Sequence, residues 1–179
     1  MNTKFKGEYS GTKSVSERHE INQEDLEKYL KSEVKNFEDI ISLEEFIGGQ
    51  SNPTYLIKTV SESYVLRRKP PGKLLKSAHA VDREYKVIAA LNKTDVPVPK
   101  AYLHCEDESV IGTEFFLMSF VEGEVMWEPH IPKATETERQ KIYQSMNDTI
   151  AKLHSVDHVS IGLEAVSYTH LRAHETHRY

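Results

Sequence analysis

The stretch from Ile40 to Arg68 constrains this chain more than any other, because it reads as three short β segments joined by turns of only a few residues. Ile40 to Ile47 is apolar enough for a first strand, which Gly48-Gly49 ends. Thr54 to Val60 alternates as a half-buried strand does, Ser61-Glu62-Ser63 is a turn, and Tyr64 to Arg68 is a third strand. Pro70-Pro71-Gly72 then stops the run. Between the first two strands lie Gln50, Ser51 and Asn52, small or polar residues before Pro53. A turn of this kind lets backbone N–H groups come close to an anion. The cations at the end of the third strand, Arg67, Arg68 and Lys69, can meet the same anion.

The remaining elements follow from periodicity and capping. Residues 1–20 are polar and aperiodic and read as a mobile arm. They have no apolar centre, so they do not read as a secretory signal, and their acids and scarce arginine disfavour a mitochondrial presequence. Ile21 to Leu30 reads as an amphipathic helix, with Asn22 as N-cap and Leu26, Tyr29 and Leu30 on one face. Ser77 to Leu91 carries the clearest helical pattern, with Val81, Tyr85, Ile88 and Leu91 aligned. Val96-Pro97-Val98-Pro99 forces an extended segment. Lys100 to Cys105 and Thr113 to Val121 read as two more strands around an acidic turn, Glu106 to Ser109. The run Phe115 to Val121 suits a strand covered on both faces, and Glu122-Gly123-Glu124 breaks it. Thr135 to His154 reads as a second long helix. Thr135 and Glu138 form its capping box, and Ile142, Met146, Thr149, Ile150 and Leu153 its buried stripe.

Composition narrows the partners. One domain is the natural reading of 179 residues. A net charge of −5 with no basic stripe argues against nucleic acid, while a local cationic cleft for phosphate remains compatible with an acidic protein. The single cysteine, Cys105, cannot staple the chain and reads as a small buried apolar residue. A reducing intracellular compartment fits, and no apolar run is long enough to span a membrane.

The order helix, strand, small-residue turn, strand, strand, helix, strand, strand and crossing helix resembles the upper lobe of aminoglycoside-phosphotransferase-like kinases. The phrases Gly49-Gln50-Ser51-Asn52-Pro53-Thr54, Tyr64-Val65-Leu66-Arg67-Arg68-Lys69-Pro70-Pro71-Gly72, Asp82-Arg83-Glu84-Tyr85, Val96-Pro97-Val98-Pro99-Lys100 and Ile111-Gly112-Thr113-Glu114-Phe115 go further. They resemble the kinase-like region at the front of acyl-CoA dehydrogenase family members 10 and 11. The resemblance covers residues 22–163. It implies an α+β protein-kinase-like N-lobe over 21–121, an antiparallel sheet with one long helix. Residues 122–163 would then be the linker and the first helix of the C-lobe.

The resemblance also implies roles, each beside a plainer reading. Gln50, Ser51 and Asn52 would cover the phosphates of ATP, or only form a hairpin turn. Arg67 stands where a family lysine pairs with nucleotide phosphates, or is a solvated strand-end charge; guanidinium and ammonium are not equivalent there. Glu84 would be its ion-pair partner, or a helix-surface support for Lys86. Met118 precedes the linker, and Ser119 and Val121 would offer backbone groups to an adenine edge. Trp127 and His130 lie on the side from which substrate would approach, and His154 sits at a helix end where it can meet the last carbonyls.

Phosphoryl transfer also needs a carboxylate to orient the hydroxyl and an Asn and Asp to hold Mg²⁺. In the family these follow the helix ending near His154. After Asp157 this sequence has only Glu164 and Glu175 as acids and no Asn. Ala165 to Thr176 instead resembles a translated sequencing-adapter read-through, so 164–179 is read as a non-native tail and its His170, His174 and His177 as no metal site. The expectation is an ATP-binding part of a phosphotransferase whose parent phosphorylates a hydroxyl, with a hydroxyacyl-CoA as candidate acceptor and a peroxisome or mitochondrion as candidate location. Two alternatives stand beside it: a non-catalytic, pseudokinase-like nucleotide-binding or scaffolding module, and a fragment whose exposed apolar faces make it aggregate.

Overall fold

The computed structural model describes residues 11–47, 51–72, 79–126 and 128–164. Its centre is a six-stranded antiparallel sheet: β1 (Thr12–Ser14), β2 (Ser42–Phe46), β3 (Thr54–Lys58), β4 (Ser63–Arg68), β5 (Ala101–Cys105) and β6 (Phe115–Ser119). The spatial order is β1-β2-β3-β4-β6-β5. The last two strands are transposed because the chain leaves β4, runs through the helix α2 (Val81–Leu91), and returns on the far edge. β6 then fills the gap between β4 and β5, which buries Phe115, Phe116 and Leu117 to 1% exposure or less. This is the strand covered on both faces that the apolar run predicts.

Strand alternation builds one core on each side of the sheet. Tyr55, Ile57, Tyr64, Leu66, Leu103, Cys105, Phe115 and Leu117 face the helix α1 (Gln23–Glu33), whose Leu26 and Leu30 are fully buried among them. Asn22 caps α1 as the sequence predicts, its side-chain oxygen accepting from the N–H groups of Glu24 and Asp25. Cys105 is buried in this core. The opposite face carries Phe116 and His104, against which Tyr85 of α2 packs at 6.0 Å and 5.3 Å between ring centroids.

Three expectations are corrected. Residues 11–20, read as part of a mobile arm, form β1 and a 3-10 turn at Glu17–His19. Buried Glu45 of β2 holds this segment: its Oε1 accepts from Nδ1 of His19 at 2.8 Å, and its Oε2 from the N–H and hydroxyl of Ser16 at 3.1 and 2.9 Å. Such polar side-chain fastenings leave no hydrophobic period to read. Glu106 to Ser109 is more than a turn, because it leads into the one-turn helix α3 (Glu108–Ile111), capped by Asp107 and closed by Gly112 at φ +82°. Helix α4 (Glu136–His154) has its capping box, but its apolar stripe is not buried: Tyr143, Met146, Ile150 and Leu153 are 43–50% exposed. The expectations for Gly48–Gln50, Ser77, Ala78, Trp127 and the tail with His170, His174 and His177 lie outside the described residues.

Candidate functional site

The site stands on the α2 face of the sheet, where β3, β4 and the N-terminal turns of α2 meet. Arg67 of β4 lies opposite Thr54 of β3 in register, and strand alternation puts both on this face. Glu84 sits in the first turn of α2 and points back at the same spot. Arg67 donates from Nε to Glu84 Oε2 at 2.6 Å and from Nη2 to Oε1 at 3.5 Å. Its Nη1 donates to Thr54 Oγ1 at 2.9 Å. The two side chains of the pair are 28% and 37% exposed, so water reaches both.

The turn before β3 joins the same cluster. Asn52 is 3% exposed, and its amide donates to Glu84 Oε1 at 3.0 Å. The Thr54 hydroxyl donates to the Asn52 carbonyl at 3.0 Å. The hydrogen bonds therefore close a ring through Asn52, Glu84, Arg67 and Thr54. His79, which immediately precedes Ala80 and α2, adds a contact from outside the ring, its Nδ1 at 2.8 Å from Asn52 Oδ1. Each terminal nitrogen of the guanidinium carries a second N–H, and no partner among the described residues takes it. Ser51 is exposed beside this group. The arrangement is a rigid cation with donors to spare next to a polar turn, which suits an anion with several oxygens.

The other predicted residues are placed as follows. Gln50 lies outside the described residues. Met118 pairs with Val65 on one side and Ala101 on the other, on the same face as Arg67. Ser119 ends β6. Its N–H is already given to the Lys100 carbonyl at 2.8 Å, and its hydroxyl accepts from the Lys100 N–H at 2.9 Å. A contact from Ser119 to an adenine edge therefore has to use its carbonyl oxygen. Val121 follows in open chain and is 62% exposed. His130 is exposed and stands 3.2 Å from Glu128 Oε2, well apart in sequence from the ring.

Of the three cations that sequence reading grouped at the end of β4, only Arg67 reaches the site. Arg68 points to the α1 face, is 3% exposed, and donates to the carbonyls of Ile111 and Glu20 while lying over the Tyr55 ring. Lys69 is ion-paired with Glu114, which also binds His104 Nε2 at 2.8 Å. Thr54 and His79 are the residues sequence reading missed. Thr54 was legible in the register with Arg67. His79 had no signal beyond standing at a helix start.

Comparison with known proteins agrees with this geometry. The model of the phosphotransferase enzyme family matches residues 42–177. That span reaches into the stretch read above as a non-native tail. "Acyl-CoA dehydrogenase family member 11" of Rattus norvegicus is 41% identical over 157 residues, covering 86% of this chain and 20% of that protein. "Probable acyl-CoA dehydrogenase IBR3" of Arabidopsis thaliana is 44% identical over 158 residues, covering 84% of this chain and 19% of that protein. The chain thus spans about a fifth of the length of the curated relatives it matches. A solved structure from Ralstonia eutropha, assigned to the aminoglycoside phosphotransferases, superposes with a TM-score of 0.71 at 44% identity, covering 82% of this chain and 42% of that one. The sheet with its transposed last strands, the two flanking helices and the match over most of the sequence give one result: the chain belongs to the phosphotransferase enzyme family.

Proposed function

We propose that the face carrying Arg67 binds the phosphates of ATP. The observation that carries this reading is the guanidinium held by Glu84 and Thr54, with N–H donors left over, beside the turn at Ser51 and Asn52. A kinase-like phosphotransferase lobe needs a fixed cation on the α- and β-phosphates and a close-fitting turn over the phosphates. Arginine at this position grips phosphate in a bidentate fork, whereas lysine acts as a point charge. The Ser119 carbonyl and the open backbone at Val121 are the groups we assign to the adenine edge, with Met118 beneath the ring.

For the whole protein we infer transfer of the γ-phosphoryl group of ATP to a hydroxyl. The relatives are named acyl-CoA dehydrogenases, and by analogy we propose a hydroxyacyl thioester such as a hydroxyacyl-CoA as acceptor. The Mg²⁺ that accompanies ATP in such reactions is held by the phosphates, waters and one or two protein oxygens, and we assign it to no residue of this chain. We propose that the 179-residue chain binds ATP without turning it over, because after Asp157 it has only Glu164 and Glu175 as acids and no Asn to serve the transfer.

Calorimetric titration of the chain with ATP tests the reading. Arg67→Ala should weaken binding by about tenfold or more, the worth of a charge-assisted contact to phosphate. Arg67→Lys should fall between the two. Equal affinity in all three proteins would refute the assignment. Release of phosphate, or transfer to a hydroxyacyl-CoA, by the 179-residue chain would refute the proposed lack of turnover.

A further inference from the structure

We propose that His79 is a positioning residue: it locks the Ser51–Asn52 turn to helix α2, so that the turn and the Arg67–Glu84 pair form one body. The inference rests on the nucleotide reading above and names the side chain that holds that site in shape. His79 has φ +60°, in the left-handed region that few residues other than Gly adopt and that His, like Asn and Asp, enters more readily than most. Its carbonyl accepts from the Val81 N–H at 2.8 Å as α2 begins. The residue after it, Ala80, makes no side-chain cap to α2. What the conformation achieves is to turn the His79 ring back across 27 residues of sequence to Asn52, with Nδ1 at 2.8 Å from Oδ1. A strained residue whose side chain reaches into a polar cluster is the usual mark of a functional constraint.

The proton assignment follows from the ring of hydrogen bonds. The Glu84 carboxylate only accepts, so the nitrogen of the Asn52 amide must face it, at 3.0 Å. Asn52 Oδ1 then faces His79, and the histidine must present Nδ1–H. Asn52 is nearly inaccessible and cannot exchange these partners for water. Without His79, Oδ1 loses its donor and the amide is free to rotate away from Glu84. Glu84 would keep Arg67 but lose the Asn52 donor on Oε1, leaving that oxygen only the long Nη2 contact at 3.5 Å, and the guanidinium would be held less firmly, through Oε2 and Thr54. His79 touches no ligand in this scheme; it acts through Asn52.

Two substitutions separate this role from a merely structural one. His79→Gly accepts φ +60° without strain but has no donor. His79→Asn tolerates the same φ and places an amide N–H near the position of Nδ1. In the ligand-free chain, hydrogen exchange of the Asn52 side-chain amide should speed up by about fivefold in His79→Gly, the worth of one hydrogen bond, and stay within about twofold of the parent in His79→Asn. The ¹⁵N spectrum of the parent should show the His79 ring protonated at Nδ1. ATP affinity should fall by a similar factor in His79→Gly and recover in His79→Asn, and neither change should matter once Asn52 is replaced by Ala. Unchanged Asn52 exchange in His79→Gly, or a His79 ring protonated only at Nε2, overturns the proposal. Faster Asn52 exchange in His79→Gly, together with a parent chain that binds no ATP, would support the lock while refuting the nucleotide reading, so the two fail separately.

Discussion

Arg67, Arg68 and Lys69 are consecutive cations that meet three different fates, and the divisions are set by alternation and neighbours. Arg67 is solvent-accessible in its pair with Glu84, and such pairs contribute about 1 kcal/mol or less. Arg67→Ala should therefore leave the melting temperature within a few degrees of the parent while weakening ATP binding by about tenfold or more. Arg68 is buried, and its removal strands two carbonyls and leaves a void beside Tyr55. Arg68→Ala should cost about 3 kcal/mol in a denaturant titration and act on nucleotide binding only through stability. Sequence reading could group the three, because all are basic. It could not divide them, since that depends on Ile111 and Glu114 arriving from other elements.

Glu45 supplies a pH-dependent contribution at the same scale. Burial pushes its carboxyl up, but the hydrogen bonds from His19 and from the Ser16 N–H and hydroxyl outweigh it and hold the group below its ordinary value of 4.5. A group lowered in the folded state binds protons more readily when unfolded. Its stabilisation is thus present above the ordinary value and is lost as pH falls through the lower, folded one. Chain stability should drop below about pH 4.5, and Glu45→Gln should flatten that part of the profile. An unchanged acid limb in the variant would show that the clasp on residues 16–19 does not matter.

At the scale of elements, the long periodic segments were legible and the short polar ones were not. α2, α4, β2, β3, β5 and β6 fall within the segments the hydrophobic pattern marks, while α1 runs three residues past Leu30 and β4 begins at Ser63, one residue early. β1 escaped because its partner strand and the Glu45 clasp hold it, rather than any apolar face of its own. α3 escaped because four residues are too few to show a period. Leu26 of α1 is fully buried, so Leu26→Ala should cost about 3 kcal/mol. The stripe on α4 behaves oppositely. Met146 and Ile150 are about half exposed, and replacing either with Lys should change stability by less than about 0.5 kcal/mol. The same helix shows that an amphipathic pattern predicts the helix but not whether its apolar side is covered.

Over the whole molecule, the fold and the meeting of Arg67 with Glu84 were both readable from sequence. The motifs fixed which strand and helix carry them, and the transposed strand order brings that helix over that strand. Thr54 was readable from its register opposite Arg67, whereas the bond from Asn52 to Glu84 and the contact from His79 were not, because they depend on side-chain directions in a turn and before a helix start, where no periodicity applies. Phe120, Val121, Val125 and Met126 after β6, and Met146, Ile150 and Leu153 on α4, are exposed apolar residues. Exposed apolar patches promote association, and size-exclusion chromatography of the chain should show concentration-dependent oligomers that Ile150→Lys together with Met146→Lys suppress.

The central claim is that ATP lies across this one face. Amide chemical-shift mapping during an ATP titration measures it directly. The account predicts saturable shifts clustered at Ser51, Asn52, Arg67, Ser119 and Val121, with residues of the α1 face such as Leu30 and Cys105 unmoved. Saturable shifts centred on the α1 face, or none at these five residues at millimolar ATP, would contradict it.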